Sequence, residues 1–276
     1  MRLYVILSFL LVLLCCSALS KKCDEDVVKG DSCHLRADKA RPTQLLFGRL
    51  ASNCKQEVFE EMKHKDDIDD FLEENPVPAV VGPDGEFFIT DHHHLLRSYL
   101  DADLKIDKKD RVVRINVIEN WKHLNASSFW TSMKQNNYAY LYNQEGVEDL
   151  DNLPTKVTKL SNDPYRSLSY IGRVNGAYEK SNVFFAEFIW AKYLKQFPEF
   201  AKLSKLAEDK MDSELKFVKS ILKRVLEVAH YPQASKLPGY LSEPGKVKLP
   251  KCPSIQNLNK KNKSDKLYQF LKNLSK

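Results

Sequence analysis

Hydrophobic and polar positions change period several times along this chain, and each change marks an element. From Asp66 to Glu74 the apolar residues Ile68, Phe71 and Leu72 recur at helical spacing. Pro76 and Pro78 then stop the helix, because proline cannot continue the hydrogen-bond ladder. A further helical segment precedes it near Cys54 to His64. Ala79, Val80 and Val81 form a short apolar run that predicts a buried strand, with Glu86 to Thr90 as its hairpin partner across Gly82-Pro83-Asp84-Gly85. A helix is expected from Asp91 to Leu100. From Arg111 to Glu119 the residues Val113, Ile115 and Val117 alternate with polar ones, which is a strand pattern. Asn125 to Gln135 reads as a helix with Ser127 or Ser128 as cap and Phe129, Trp130 and Met133 as its apolar face. Tyr138 to Tyr142 is a weak strand, and the polar stretch that follows, through Asn162 to Leu168, reads as loop. Helical spacing then dominates. Phe184, Phe185, Phe188, Ile189 and Leu194 lie in a segment stopped by Pro198, and Leu215, Val218, Leu222, Val225 and Leu226 repeat between Asp212 and His230. The fold class expected is α/β (α+β), a small mixed-sheet domain followed by a mainly helical C-terminal half. No internal repeat is present.

The ends of the chain change this picture. Arg2 precedes an apolar run from Leu3 to Leu14, and Ala18 and Ser20 are the small residues of a cleavage site, so residues 1–20 are expected to be a secretory signal peptide. The rest divides into a cysteine-containing segment at 21–40, expected to be loop-like, a compact domain at 41–175, a helical region at 176–244 and a basic tail at 245–276. No later run approaches membrane-spanning length. Forty-three Lys and Arg against 37 Asp and Glu leave a formal charge of +6. That balance is too modest to argue for nucleic-acid binding alone.

Export would place Cys23, Cys33, Cys54 and Cys252 in an oxidising compartment, where four cysteines suggest two disulfides with three pairings open. Cys252 lies far from the others, so one bridge is expected to tie the tail back to the N-terminal region. The spacings match no zinc pattern. Asn125, Asn262 and Asn273 begin glycosylation sequons; Asn125 carries the most weight, because the other two lie in the lysine-rich tail.

Candidate chemistry concentrates at Asp91-His92-His93-His94, where a strand runs into a helix. A helix start presents unpaired amides and the positive end of a dipole, a natural anion site. Asp91 can cap those donors, and imidazoles and a guanidinium can serve a bound phosphate. The bland alternative has the histidines bonded to backbone, locking the junction. Successive helical residues diverge by about 100°, so three adjacent histidines do not make one metal site, and no metal ligand set is assigned.

Several further motifs occur in a fixed order: Arg41-Pro42-Thr43-Gln44 with Gly48, Lys63, Pro76 to Gly85, Asp91 to His94, Phe129-Trp130, Asn162 to Leu168 and Ala186 to Ala191. In this set the chain, over residues 40–200, resembles the ParB-like nuclease family, a branch of the ParB/sulfiredoxin superfamily. The resemblance implies a small α/β fold whose strand-to-helix junction binds a nucleotide or nucleic-acid phosphate. Relatives in the superfamily use that junction for quite different reactions, so fold alone does not decide function. The superfamily places glycine where His92 stands and arginine where Leu95 stands, and Arg97 is the residue that could take over the lost phosphate contact. Sulfiredoxins carry their reactive cysteine where His93 stands, which excludes sulfinic acid repair here.

The reading is therefore a secreted phosphate-ligand hydrolase, a nuclease or nucleotide-binding enzyme. His93 and His94 are the expected acid/base pair and Asp91 orients them. Arg97, Arg166, Thr43 and Gln44 are the phosphate-binding candidates. Glu187, on an apolar helix, is either a general base or a structural partner of Arg166 or Lys192. Arg166 itself either faces phosphate or pairs with Asp163. A nucleotide or a divalent metal is left open as cofactor. The alternative is a non-catalytic secreted binding or effector protein that retains the fold.

Overall fold

The computed structural model describes residues 21–62, 64–205 and 221–246. The expectations at residues 1–20, Lys63, 212–220, Cys252, Asn262, Asn273 and most of the basic tail lie outside them.

The centre is a four-stranded mixed sheet in the order β1 (Ser32–Arg36), β5 (Val112–Asn120), β3 (Val77–Val81), β4 (Phe87–Ile89). β3 lies parallel to β5 and antiparallel to β4, and β1 lies antiparallel to β5. Val77, Ala79, Val80 and Val81 are all fully buried. That is the burial expected of a strand covered on both faces, and it explains the unbroken apolar run. β5 keeps the predicted alternation, with Val113, Ile115 and Val117 buried. The hairpin from β3 to β4 turns through Pro83–Gly85, where Asp84 and Gly85 both adopt positive φ.

Helices α1 (Arg49–Glu61), α2 (Lys65–Glu74) and α3 (His93–Asp101) cover one face, packing Phe59, Ile68, Leu72, Leu96 and Tyr99 onto Val77, Ala79 and Ile115. α4 (Ala126–Gln135) covers the other through Phe129 and Met133 against Val80 and Phe88. The carbonyl end of α3 is closed by the buried Arg111, which donates to Tyr99, Ala102 and Ile106. A cation at that position also complements the helix dipole.

Three local expectations are corrected. Residues 21–40 are not simply loop: Ser32 to Arg36 add an edge strand, stapled by a disulfide between Cys23 and Cys33 with a Cα separation of 4.9 Å. Cys54 is disulfide-bonded as well. The stretch Asn162 to Leu168 is not loop either. Ser161–Asn162 forms β6, parallel to β2 (Leu46–Phe47), and α5 (Pro164–Val174) follows at once. Asp163 caps α5 through the Tyr165 amide at 2.9 Å with Pro164 at the first helical position, a strong helix-start combination. In α4 the cap is Asn125, accepting the Ser128 amide at 2.9 Å, rather than Ser127 or Ser128.

The helical half forms its own apolar cluster. Tyr165, Leu168 and Ile171 of α5 meet Trp190, Tyr193 and Leu194 of α6 (Ala186–Leu194) and Leu222, Val225 and Val228 of the helical run 221–229. α1 joins the halves, giving Phe59 to the sheet core and Leu50 to the helical cluster. Residues 237–245 return beside 176–179, where Glu179 donates to the Gly239 carbonyl and Gly245 to that of Gly176. Among the described residues no helix is long and apolar enough to cross a membrane.

Candidate functional site

The junction from β4 to α3 forms one wall of a cleft of about 350 Å³, and the stretch from Tyr178 to Phe188 forms the other. The Thr90 amide ties the end of β4 to the Pro78 carbonyl at 2.9 Å. Asp91 is exposed, and its Oδ1 accepts the His92 amide at 2.6 Å. It does not cap the first turn of α3: the N-cap is His92, with no side-chain cap. His92 holds φ 64° and ψ 18°, a left-handed conformation that costs a non-glycine residue roughly 1 kcal/mol or more. This is the position where the superfamily resemblance calls for glycine, the residue for which a left-handed backbone carries no such cost.

His93 and His94 are both held from behind by backbone amides. Nε2 of the buried His93 accepts the Thr43 amide at 3.1 Å, while the Thr43 hydroxyl donates to the Ile89 carbonyl at 2.7 Å. Nε2 of His94 accepts the Gly48 amide at 2.9 Å. An amide can only donate, so in each ring Nε2 carries the lone pair and Nδ1 the proton. Burial pushes His93 down to about 3, and burial with the nearby Arg166 pushes His94 well below the usual histidine range. Two neutral imidazoles therefore line the cleft, each with Nδ1–H left to offer. This geometry departs from the expected acid/base pair. A ring whose lone pair is bound to an amide cannot take a proton without breaking that bond. A Cβ at Gly48 would sit 3.0 Å from the Ser167 amide nitrogen and 3.1 Å from Arg166, so the glycine lets the start of α1 approach the first turn of α5 closely.

Arg166 lies in the first turn of α5 and enters the same cleft, 5% exposed. One amino group donates to Glu187, and the guanidinium stands over the Phe188 ring at 5.3 Å. Its Nε and Nη1 are buried with no hydrogen-bond partner. Arg173 donates to the other Glu187 oxygen at 2.7 Å. Burial pushes the Glu187 carboxyl up, but the two arginines outweigh it and hold the group below its ordinary value. Glu187 is thus an ionised structural partner rather than a poised base, and Arg166 pairs with it instead of Asp163. Arg166, Arg173 and Lys180 stand against Asp91, Glu179 and Glu187, so the lining is formally balanced, with two guanidiniums sharing one carboxylate at its floor.

The remaining candidates divide. Gln44 lines the cleft, its Nε2 donating to the Leu46 carbonyl at 2.7 Å. Thr43 stands behind His93 and does not line the cleft. Arg97 is directed elsewhere: it pairs with Asp101, donates to the Leu160 carbonyl at 3.3 Å and lies 4.6 Å above the Phe47 ring. Leu95 is buried in the sheet core. Arg173 and Lys180 also line the cleft and were not singled out from sequence, while Phe184, expected on an apolar helix face, precedes α6 and lines the cleft half exposed. Arg173 could have been found, since it lies two turns beyond Arg166 once Asp163-Pro164 is read as a helix start. Among the described residues no group of three His, Cys, Asp or Glu side chains is arranged to hold a metal ion.

Comparison with known proteins agrees with this architecture. The family described as "Putative ParB-like nuclease" matches residues 33–196. The solved structure of protein Atu1540 from Agrobacterium tumefaciens is similar at 27% identity and a TM-score of 0.62, covering 76% of this chain and 97% of that one. The comparison with curated proteins finds no match. With more than half of its length matched by that family and its mixed sheet in place, the chain belongs to the ParB-like nuclease family.

Proposed function

We propose that the cleft binds the phosphate group of a nucleotide or nucleic acid and that the protein hydrolyses a phosphoester there. The observation that carries this reading is Arg166, a buried guanidinium with two donor nitrogens unmatched, on the same cleft as two neutral imidazoles. Buried donors are costly to leave unpaired, and an anion supplies the missing acceptors. Fixed donors that need not reorganise are also what stabilise charge building on a phosphate in its transition state. In this reading Arg166 and the Nδ1–H groups of His93 and His94 hold phosphate, Gln44 helps to seat the ligand, and Asp91 at the mouth activates water. A secretory route belongs to the same proposal and is supported by the disulfide between Cys23 and Cys33. The exposed Asn125 is then a glycan acceptor, since its cap bond uses Oδ1 and leaves the amide nitrogen free.

One observation favours a second reading, a protein that binds phosphate ligands without turnover: both imidazole lone pairs are occupied. Hydrolysis assays on single-stranded and duplex nucleic acids and on nucleotides separate the two, run on wild type, Arg166→Met and Asp91→Asn. The enzyme reading expects binding lost in Arg166→Met, and turnover lost in Asp91→Asn with binding kept. Asp91→Asn as active as wild type ends that mechanism, and binding without turnover in wild type selects the second reading.

A further inference from the structure

We infer that the outer lip of this cleft, formed by Val183 and Phe184, is a stacking shelf for an unpaired nucleobase. The ligand is then a nucleotide unit, free or within a single strand, and not a duplex or a sugar phosphate. This rests on the phosphate reading above and adds the class of ligand.

Phe184 and Val183 are 48% and 51% exposed, consecutive, and on the wall that faces the donors. Phe184 is held without being covered: its ring makes a T-shaped contact with Tyr138, centroids 6.0 Å apart, and stays half exposed. The next residue explains the arrangement. Phe185 has φ 55° and is the N-cap of α6. Its left-handed backbone sends adjacent rings in different directions, Phe185 onto Tyr140 at 5.5 Å and Phe184 outward. His92, beside the opposite wall, is the N-cap of α3 with φ 64°. Two strained bulky N-caps therefore flank one cleft, the kind of site at which backbone strain is retained for function. The lip is also positioned from within, since the Ser181 hydroxyl accepts the Val183 amide at 3.1 Å.

An aromatic face beside a cation with free donors, here Arg166, is how proteins hold unpaired bases, because every base offers a π-face while its phosphate meets the cation. A duplex keeps its base faces stacked on one another and offers none to a ring. The cleft, about 350 Å³, is also of single-ligand size. Gln44, with Nε2 bound to Leu46, keeps its carbonyl oxygen as an acceptor for a base or ribose edge.

Calorimetric titration of the full chain with ribose 5-phosphate, AMP, oligothymidylate and a short duplex tests this. AMP should bind at least about five-fold more tightly than ribose 5-phosphate, the low end of what stacking one base gives. Phe184→Ala should erase that ratio and Phe184→Trp should keep it. Oligothymidylate tighter than AMP identifies a single strand as the source, and the reverse identifies a free nucleotide; both support the shelf. Equal binding of AMP and ribose 5-phosphate by wild type overturns it, as does duplex binding best. So does Phe184→Ala weakening both ligands alike. Were ribose 5-phosphate bound in an Arg166-dependent way with no gain from the base, only the shelf would fall. Binding of none of the four probes would remove the phosphate reading and the shelf together.

Discussion

Lowering the pH should destabilise this fold through its two amide-bound histidines, by an amount that can be worked out. In the folded protein His93 is buried and its pKa is depressed to about 3, whereas in the unfolded chain it returns to about 6.5. Above pH 6.5 both states are neutral and the ring adds no pH dependence. As pH falls below 6.5 the unfolded state binds a proton that the folded state refuses, so stability falls by about 1.4 kcal/mol per pH unit for this group. Between pH 7 and pH 5 His93 alone accounts for about 2 kcal/mol. His94 is shifted in the same direction by burial and Arg166, which makes the combined slope steeper. Asp163 works in the opposite sense, because burial raises its carboxyl and so favours the fold as pH falls. A difference measurement removes that contribution. In His93→Gln the side-chain carbonyl can still accept the Thr43 amide but does not titrate. Urea denaturation at pH 7, 6 and 5 should therefore show wild type losing about 2 kcal/mol more than His93→Gln across the range. Parallel pH profiles for the two proteins would refute the neutral, amide-bound assignment of His93.

The carboxylate between the two arginines should behave as a coupled unit. Arg166→Met and Glu187→Gln should each cost roughly 2–3 kcal/mol in urea denaturation, and the double variant should cost at least about 1 kcal/mol less than their sum. Strict additivity would mean that the ion pair is not formed. Gly239 has φ 72°, and a Cβ there would lie 2.1 Å from the Glu179 carbonyl oxygen. Gly239→Ala should cost at least about 2 kcal/mol and lower the melting temperature, because strain and overlap act together where the C-terminal segment supports the cleft wall. An unchanged melting temperature would argue that residues 237–245 do not pack as described.

The local elements of this protein were legible wherever one physical rule dominated. Proline positions set the end of α2, alternation set β5, an unbroken apolar run set β3, and the Pro-Asp-Gly turn set the hairpin to β4. These are properties of neighbours along the chain, so the sequence carries them. The same holds for the ordered motifs that point to the ParB-like family. β1 escaped because a short, largely polar edge strand has little pattern of its own and is made by pairing with β5, some eighty residues away. α5 escaped because an Asn- and Asp-rich stretch masked its Asp163-Pro164 start. At the candidate site the sequence put His93 and His94 on the strand-to-helix junction, where they line the cleft, but their protonation was beyond reach. It depends on which ring nitrogen meets the amides of Thr43 and Gly48, 50 and 46 residues away, and on how completely water is excluded. Arg97 and Arg166 looked equivalent on paper. Only the packing of α3 and α5 turned one toward Asp101 and the other into the cleft, because helix rotation is decided by tertiary contact and not by spacing.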